Sequence, residues 1–285
     1  EQVLVSPDGS LSLIPFAALQ DGKGTYLTEQ YRLTYLTSGR DLLRLAFKIE
    51  SRTPPLVLAD PDYAEGRGPV LVGQQYAPLP RLMGTIYEGA ALKVLFPTAN
   101  LKMEAAATAQ AVKSVQRPIL LHIATHGYFL DDVVKSEVRT DERILVREDS
   151  GADTEKLTVE NPLLRAWLFF AGANQSRSEA DKGTLTALEL AQLDLWGTKL
   201  VTLSACETGV GETKNGDGVY GLRRALVLAG SEAQMMSLWP VSDQATRELM
   251  ADYYTRLKAG EGRSEALRNA QLRMLQNPKR KHPYF

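Results

Sequence analysis

Residues 119–127 read Ile-Leu-Leu-His-Ile-Ala-Thr-His-Gly. Ile119 to Ala124 is a short apolar run broken once, by His122, and Thr125-His126-Gly127 closes it. A run of this length with turn-forming residues behind it predicts a strand buried on both faces. Four more runs of the same kind follow from the sequence: Leu56–Ala59 before Asp60-Pro61-Asp62, Trp167–Ala171, Leu200–Ala205 before Cys206, and Gln234–Trp239. Between them the apolar spacing is helical over Gly84–Phe96, Thr186–Leu193 and Val219–Ala229, and two helices, about Asp243–Lys258 and Ser264–Gln276, close the chain. Strands that are continuously apolar and alternate with helices predict an α/β fold, a mainly parallel sheet with helices on both faces.

Residues 1–50 stand apart from this alternation. Val3-Leu4-Val5 and Leu11–Ile14 flank Pro7-Asp8-Gly9, which predicts a β-hairpin arm, and Asp41–Phe47 has helical spacing with Ser38 or Asp41 as cap. Thr53-Pro54-Pro55 ends that region, because proline disfavours helix in the residue before it. Residues 51–285 are then the core unit. Within it, residues 131–160 hold ten acids and five bases, and are expected to loop out as an acidic insertion, as a solvated loop or as one that gates the site.

Composition narrows the function. With 285 residues, 44% hydrophobic and 24% charged, the chain can bury a sizeable core and is not disordered. Lys and Arg number 33 against 34 Asp and Glu, so no basic nucleic-acid footprint is expected. No apolar run approaches the roughly 18 residues of a membrane span. The one cysteine, Cys206, excludes an internal disulfide and fits a reducing, cytoplasmic setting. The chain opens on Glu1 with no signal-like segment, as expected of a piece of a longer protein or of a processed product.

Three strand ends carry titratable or reactive groups: Asp60 with Asp62, His126, and Cys206. Chemistry in parallel sheets collects beyond the carboxyl ends of the strands. A thiol with an ordinary pKa of about 8.5 needs a base beside it to act as a nucleophile, and histidine suits that role. If the strands before His126 and Cys206 are neighbours, the two side chains share a rim. Gly127 allows close backbone approach, and its N–H with that of Cys206 forms a candidate oxyanion hole. The competing reading is plain structure: a buried cysteine and a hydrogen-bonded histidine.

Other signals are weak. His122 and His126 have the spacing of a zinc-binding helix but lie on a strand without the glutamate of that motif, so no metal is expected and His122 is read as paired in the core. The glycines from Gly209 to Gly218 lack the Lys-Ser/Thr of a phosphate loop and fall where a mobile active-site loop is expected; Arg223 and Arg224 behind them are read as helix-surface residues. Trp167, Trp196 and Trp239 are read as core or pocket walls.

The local sequences His-Ile-Ala-Thr-His-Gly (122–127) and Leu-Ser-Ala-Cys-Glu-Thr-Gly (203–209) closely resemble the two signature motifs of the CHAT domain family. The resemblance continues through Asn161–Leu164, Ala171–Asn174, Gly218–Ala225 and Ser237–Asp243, and covers nearly the whole chain from Pro7-Asp8-Gly9 to His282–Phe285. CHAT domains are caspase-like cysteine peptidases related to separases, so the resemblance implies a caspase–haemoglobinase-like three-layer sandwich with no cofactor. It implies His126 as general base and Cys206 as nucleophile toward a protein substrate. It also places the pocket for the residue before the scissile bond, P1, among Asp243, Asp60 and Trp239. Separases carry an aspartate after a Leu-Trp pair and cut after arginine, so a basic P1 residue is expected, with Asp243 as helix cap the competing role. CHAT domains commonly follow tetratricopeptide or other interaction regions, which implies a regulatory partner region. The alternative is a catalytically silent CHAT scaffold.

Overall fold

A computed structural model describes residues 1–8, 11–12, 14–47, 49–64, 70–72, 75–77, 79–129, 162–164, 166–175, 183–204, 217–237, 241–280 and 282. The N-terminal part contains β1 (Gln2–Val5), α1 (Leu27–Gln30), β2 (Arg32–Tyr35) and α2 (Asp41–Leu45). Then come β3 (Leu56–Pro61), β4 (Val70–Val72), β5 (Gln75–Ala77), α3 (Met83–Leu95), β6 (Asn100–Glu104), α4 (Ala109–Lys113), β7 (Leu120–Ile123) and β8 (Gly127–Phe129). The rest is β9 (Ala166–Phe169), β10 (Thr184–Thr186), α5 (Ala187–Leu190), β11 (Leu200–Leu203), α6 (Asp217–Leu228), β12 (Gln234–Met236), α7 (Asp243–Lys258) and α8 (Arg263–Leu275).

The main sheet has five parallel strands in the order β12-β11-β7-β3-β6. Its three inner strands are buried at every residue, whereas β6 at one edge is exposed at both ends. Burial on both faces is why these stretches read as continuous apolar runs. Alternate residues supply two cores. Leu58, Leu121, Ile123, Val201 and Leu203 join α5, α6 and β9 on one face, while Val57, Leu120 and Leu200 join α3, α7 and α8 on the other. Helices therefore cover both faces, and the α/β sandwich expected from the sequence is the fold observed.

Helix α3 buries Thr85, Glu88, Gly89 and Leu92, one face at helical spacing. Gly89 lets it lie close on the sheet: a Cβ there would meet the Ala59 Cβ at 2.8 Å and Leu101 Cδ1 at 3.2 Å. Alanine would gain about 1 kcal/mol of helix propensity but overpack a site where such strain costs about 1–3 kcal/mol. Gly89→Ala is therefore expected to lower the thermal midpoint. A midpoint at or above wild type would show that the close approach does not limit packing.

Two expectations need correction. Among the described residues the expected N-terminal hairpin pairing is not made: β1 pairs in parallel with β2, in the register Gln2↔Arg32 to Val5↔Tyr35. The Leu11 and Ile14 N–H groups are spent in turns on Asp8 and Leu11 carbonyls, and Pro15 has no N–H for a ladder. Second, β9 leaves the main sheet and forms a separate antiparallel sheet between β8 and β10. The arm is tied to the core by Arg268 of α8, whose guanidinium donates to the carbonyls of Thr28, Glu29 and Tyr31 at 2.6–3.2 Å. The acidic stretch 131–160 lies outside the described residues. Among the described residues no helix is long and apolar enough to cross a membrane.

Candidate active site

The carboxyl ends of three adjacent strands meet on one rim. Strand β7 lies between β11 and β3, with Ile123 opposite both Leu203 and Leu58. Past these pairs, Ser204 N–H and Ala124 N–H continue the ladders onto the carbonyls of Ile123 and Leu58. The strands leading to His126 and to Cys206 are thus parallel neighbours, as the shared-rim argument requires. Cys206 itself, two residues beyond Ser204, lies outside the described residues, as do Trp239 and Gly209 to Gly216. Asp60 ends β3 on the other side of His126.

His126 is held from three sides and is only 1% exposed. Its ring packs against Tyr63, centroids 5.1 Å apart. Its backbone N–H donates to the Tyr63 hydroxyl (3.2 Å), which pairs with Thr125 Oγ1 (2.8 Å), and Thr125 donates its one hydroxyl hydrogen to the Phe169 carbonyl. Tyr63 is therefore the donor to Thr125, and the three groups form one directed chain. Burial pushes the Tyr63 phenol well above its ordinary range, so it stays a neutral donor.

The imidazole Nε2 lies 2.7 Å from the Pro80 carbonyl oxygen. A carbonyl only accepts, so Nε2 carries a hydrogen and the lone pair of the neutral ring falls on Nδ1. Nδ1 is then the basic atom. Gly127 opens β8 and faces Leu168 in the ladder, while the neighbouring pair is bonded, Phe169 N–H to His126 O at 3.0 Å. Antiparallel ladders alternate bonded and non-bonded pairs, so the Gly127 N–H turns away from β9.

Asp60 is 1% exposed, and its carboxylate is fully engaged by Arg81: Nε to Oδ1 at 2.6 Å and Nη2 to Oδ2 at 2.5 Å. Arg81 also reaches Glu104 Oε1 at 3.2 Å. The hydrogen bonds to Asp60 hold the guanidinium even more firmly protonated than usual. Asp60 has φ +48°, a left-handed backbone that strains a residue with a side chain. Asp62, one position past Pro61, is exposed and caps its own turn through Ala64 N–H. Asp243 is the first residue of α7, whose cap is Ser242, with Oγ accepting from Ala245 N–H at 3.5 Å.

His122 does not join His126. It is 0% exposed and points to the opposite core, where Nδ1 meets Tyr254 Oη at 2.8 Å and Nε2 meets Glu88 Oε1 at 3.2 Å. That contact is within ion-pair reach but poorly aligned for a hydrogen bond. Ser204 donates to the other oxygen of Glu88 (3.1 Å), and Tyr254 donates to Thr202 (2.7 Å). Among the described residues no cluster of three His, Cys, Asp or Glu could hold a metal. Arg223 is half-buried and Arg224 exposed on α6; Trp167 stacks on Tyr128 (6.0 Å) and Trp196 is 47% exposed. Sequence reasoning missed Tyr63, Pro80, Arg81 and Glu88. Their roles are backbone or pairing roles with no local motif.

Fold and rim together define a caspase-like α/β domain with a histidine poised at the centre of its sheet. The chain belongs to the CHAT domain family, whose profile matches residues 1–285. It is similar to human tetratricopeptide repeat protein 28, at 25% identity over 98% of this chain and 11% of that protein. The mouse protein of the same name is 34% identical over 33% of this chain and 4% of that protein. The chain thus spans about a tenth of the length of the human relative.

Proposed function

We propose that the chain is a cysteine endopeptidase in which Cys206 and His126 form the catalytic dyad. The observation that carries this reading is the adjacency of β7 and β11 together with the Nε2–Pro80 hydrogen bond, which leaves Nδ1 as the base. Cys206 gives its thiol proton to Nδ1 and its sulfur attacks the peptide carbonyl. The Gly127 and Cys206 N–H groups stabilise the oxyanion. The imidazolium then returns the proton to the leaving amine, and water hydrolyses the acyl-enzyme by the reverse route.

A basic P1 residue fits an acidic pocket from Asp243, Trp239 and Asp60. Asp60 contributes charge only if Arg81 yields, so Asp243 is the main carboxylate in this reading. A peptide library varied at P1 tests it: arginine and lysine are expected to be cut at least tenfold faster than uncharged residues, and Asp243→Asn should erase that preference. Equal or better cleavage after an uncharged residue would overturn it.

Likeness to tetratricopeptide repeat proteins supports a regulatory region of that kind in the full-length chain, and in this reading the domain acts in the cytoplasm on a protein substrate. Cleavage rates measured with and without the upstream region should differ; identical rates count against regulation from that side. The silent-scaffold alternative draws on the 1% exposure of His126. Labelling by a thiol-reactive peptide probe separates the two.

A further inference from the structure

Pro80 lies exposed between two residues that are each held at two points. On one side the Leu79 N–H donates to Asn174 Oδ1 (2.9 Å) and the Leu79 carbonyl accepts from Asn174 Nδ2 (3.1 Å). On the other, Arg81 makes its two hydrogen bonds to Asp60. Both anchors are themselves fixed. Asn174 is 1% exposed and its N–H donates to the Tyr63 carbonyl (3.0 Å). The Asp60 N–H donates to Thr85 Oγ1 (2.9 Å). The proline ring removes φ freedom at the one position between the clamps.

We infer that Asn174 and the Asp60–Arg81 pair are positioning residues, which hold the Pro80 carbonyl against His126 Nε2. Two buried polar side chains are spent on a three-residue stretch, Leu79 to Arg81, whose middle carbonyl meets the candidate base. A carbonyl aligned on Nε2–H favours the imidazolium, in which both ring nitrogens are donors, and so favours the Cys206 thiolate. This assignment rests on the Cys206–His126 reading. It gives Asp60 a task that needs no substrate, unlike a role in the P1 pocket.

The single cysteine makes a substrate-free test available. Iodoacetamide alkylation, followed by intact mass across pH 5–10, reports one thiol. Wild type is expected to react well below the pH of about 8.5 at which an isolated thiol titrates. Asn174→Ala should slow alkylation at pH 6.5 about tenfold, the worth of one hydrogen bond to a charged group, and leave the rate at pH 9.5 unchanged. The double variant Asp60→Asn with Arg81→Met removes the second clamp without stranding a buried charge, and should do the same. It keeps the test decisive should Asn174→Ala fail to fold. A wild-type profile of an isolated thiol overturns the dyad itself. A wild-type profile shifted to low pH that a folded variant leaves unmoved overturns the positioning role alone.

Discussion

Cys206→Ala should abolish peptide hydrolysis, and His126→Ala should lower it by about 10²–10⁴-fold, the usual contribution of a positioned general base. The double variant should be no worse than Cys206→Ala, because residues that act as one unit are not additive. The His126 loss should fall in kcat, with KM little changed, since the proposed mechanism uses Nδ1 in the chemical step and not in holding the peptide. Tyr63 and Thr125 fix the backbone of His126 from outside the ring, so neither can replace it as base: Tyr63 is kept neutral by burial. The measurement is steady-state cleavage of a P1-arginine peptide, paired with probe labelling of Cys206. Unaltered hydrolysis in either single variant would remove the dyad from consideration.

The second large effect is on stability, at Glu88. Tyr254 spends its hydroxyl hydrogen on Thr202, so His122 Nδ1 must be the donor to Tyr254. His122 Nε2 then faces Glu88 Oε1 at 3.2 Å, within ion-pair reach but poorly aligned for a hydrogen bond. Glu88 is 5% exposed and His122 0%, so water has little access to either. Glu88→Ala leaves Ser204 without its acceptor and His122 without the carboxylate beside it, and should cost about 3–5 kcal/mol, the range for breaking a buried pair from one side. That corresponds to a fall of roughly 6–20 °C in the thermal midpoint. Glu88→Gln should recover most of it, because an amide N–H can donate to Nε2 while its oxygen accepts from Ser204. Scanning calorimetry of both variants checks this. A glutamine as costly as the alanine would mean that the charge of the carboxylate, and not its hydrogen bonding, holds the network.

The fold was legible where burial leaves a mark on composition. Leu56–Ala59, Leu120–Ala124 and Leu200–Ser204 are buried and read as nearly continuous apolar runs, and α7 has the bounds its spacing predicts, Asp243–Lys258. The edge strand β6, Asn-Leu-Lys-Met-Glu, was not legible: its two ends face water, and its composition is that of a loop. Trp167–Phe170 announced burial but not which sheet it would join, because an apolar run does not name its partner. The N-terminal arm misled for the same reason, since a turn signal after β1 is satisfied locally while the pairing goes to residues 32–35.

At the site, side-chain chemistry was visible and its neighbours were not. His126 stands out by residue type and position, but the group that fixes its tautomer is a backbone carbonyl at Pro80, which leaves no trace in the sequence. Asp60 read as an available negative charge; the arginine that neutralises it comes from 21 positions later, on a segment that no pattern connects to the end of β3. Asn174 was visible only as part of a matched motif, without a task until Leu79 is seen on both of its amide atoms.

The strand order also sets a timetable. Leu120 on β7 pairs with Leu200 on β11, 80 residues later. At translation speeds of about 5–20 residues per second, the strand leading to the nucleophile leaves the ribosome roughly 4–16 s after the strand leading to the base. Throughout that interval β7 has only β3 beside it, and the middle of the sheet stays open on one side. During that interval the two halves of the proposed dyad cannot meet. The 80-residue separation of these neighbouring strands thus delays assembly of the proposed site during synthesis.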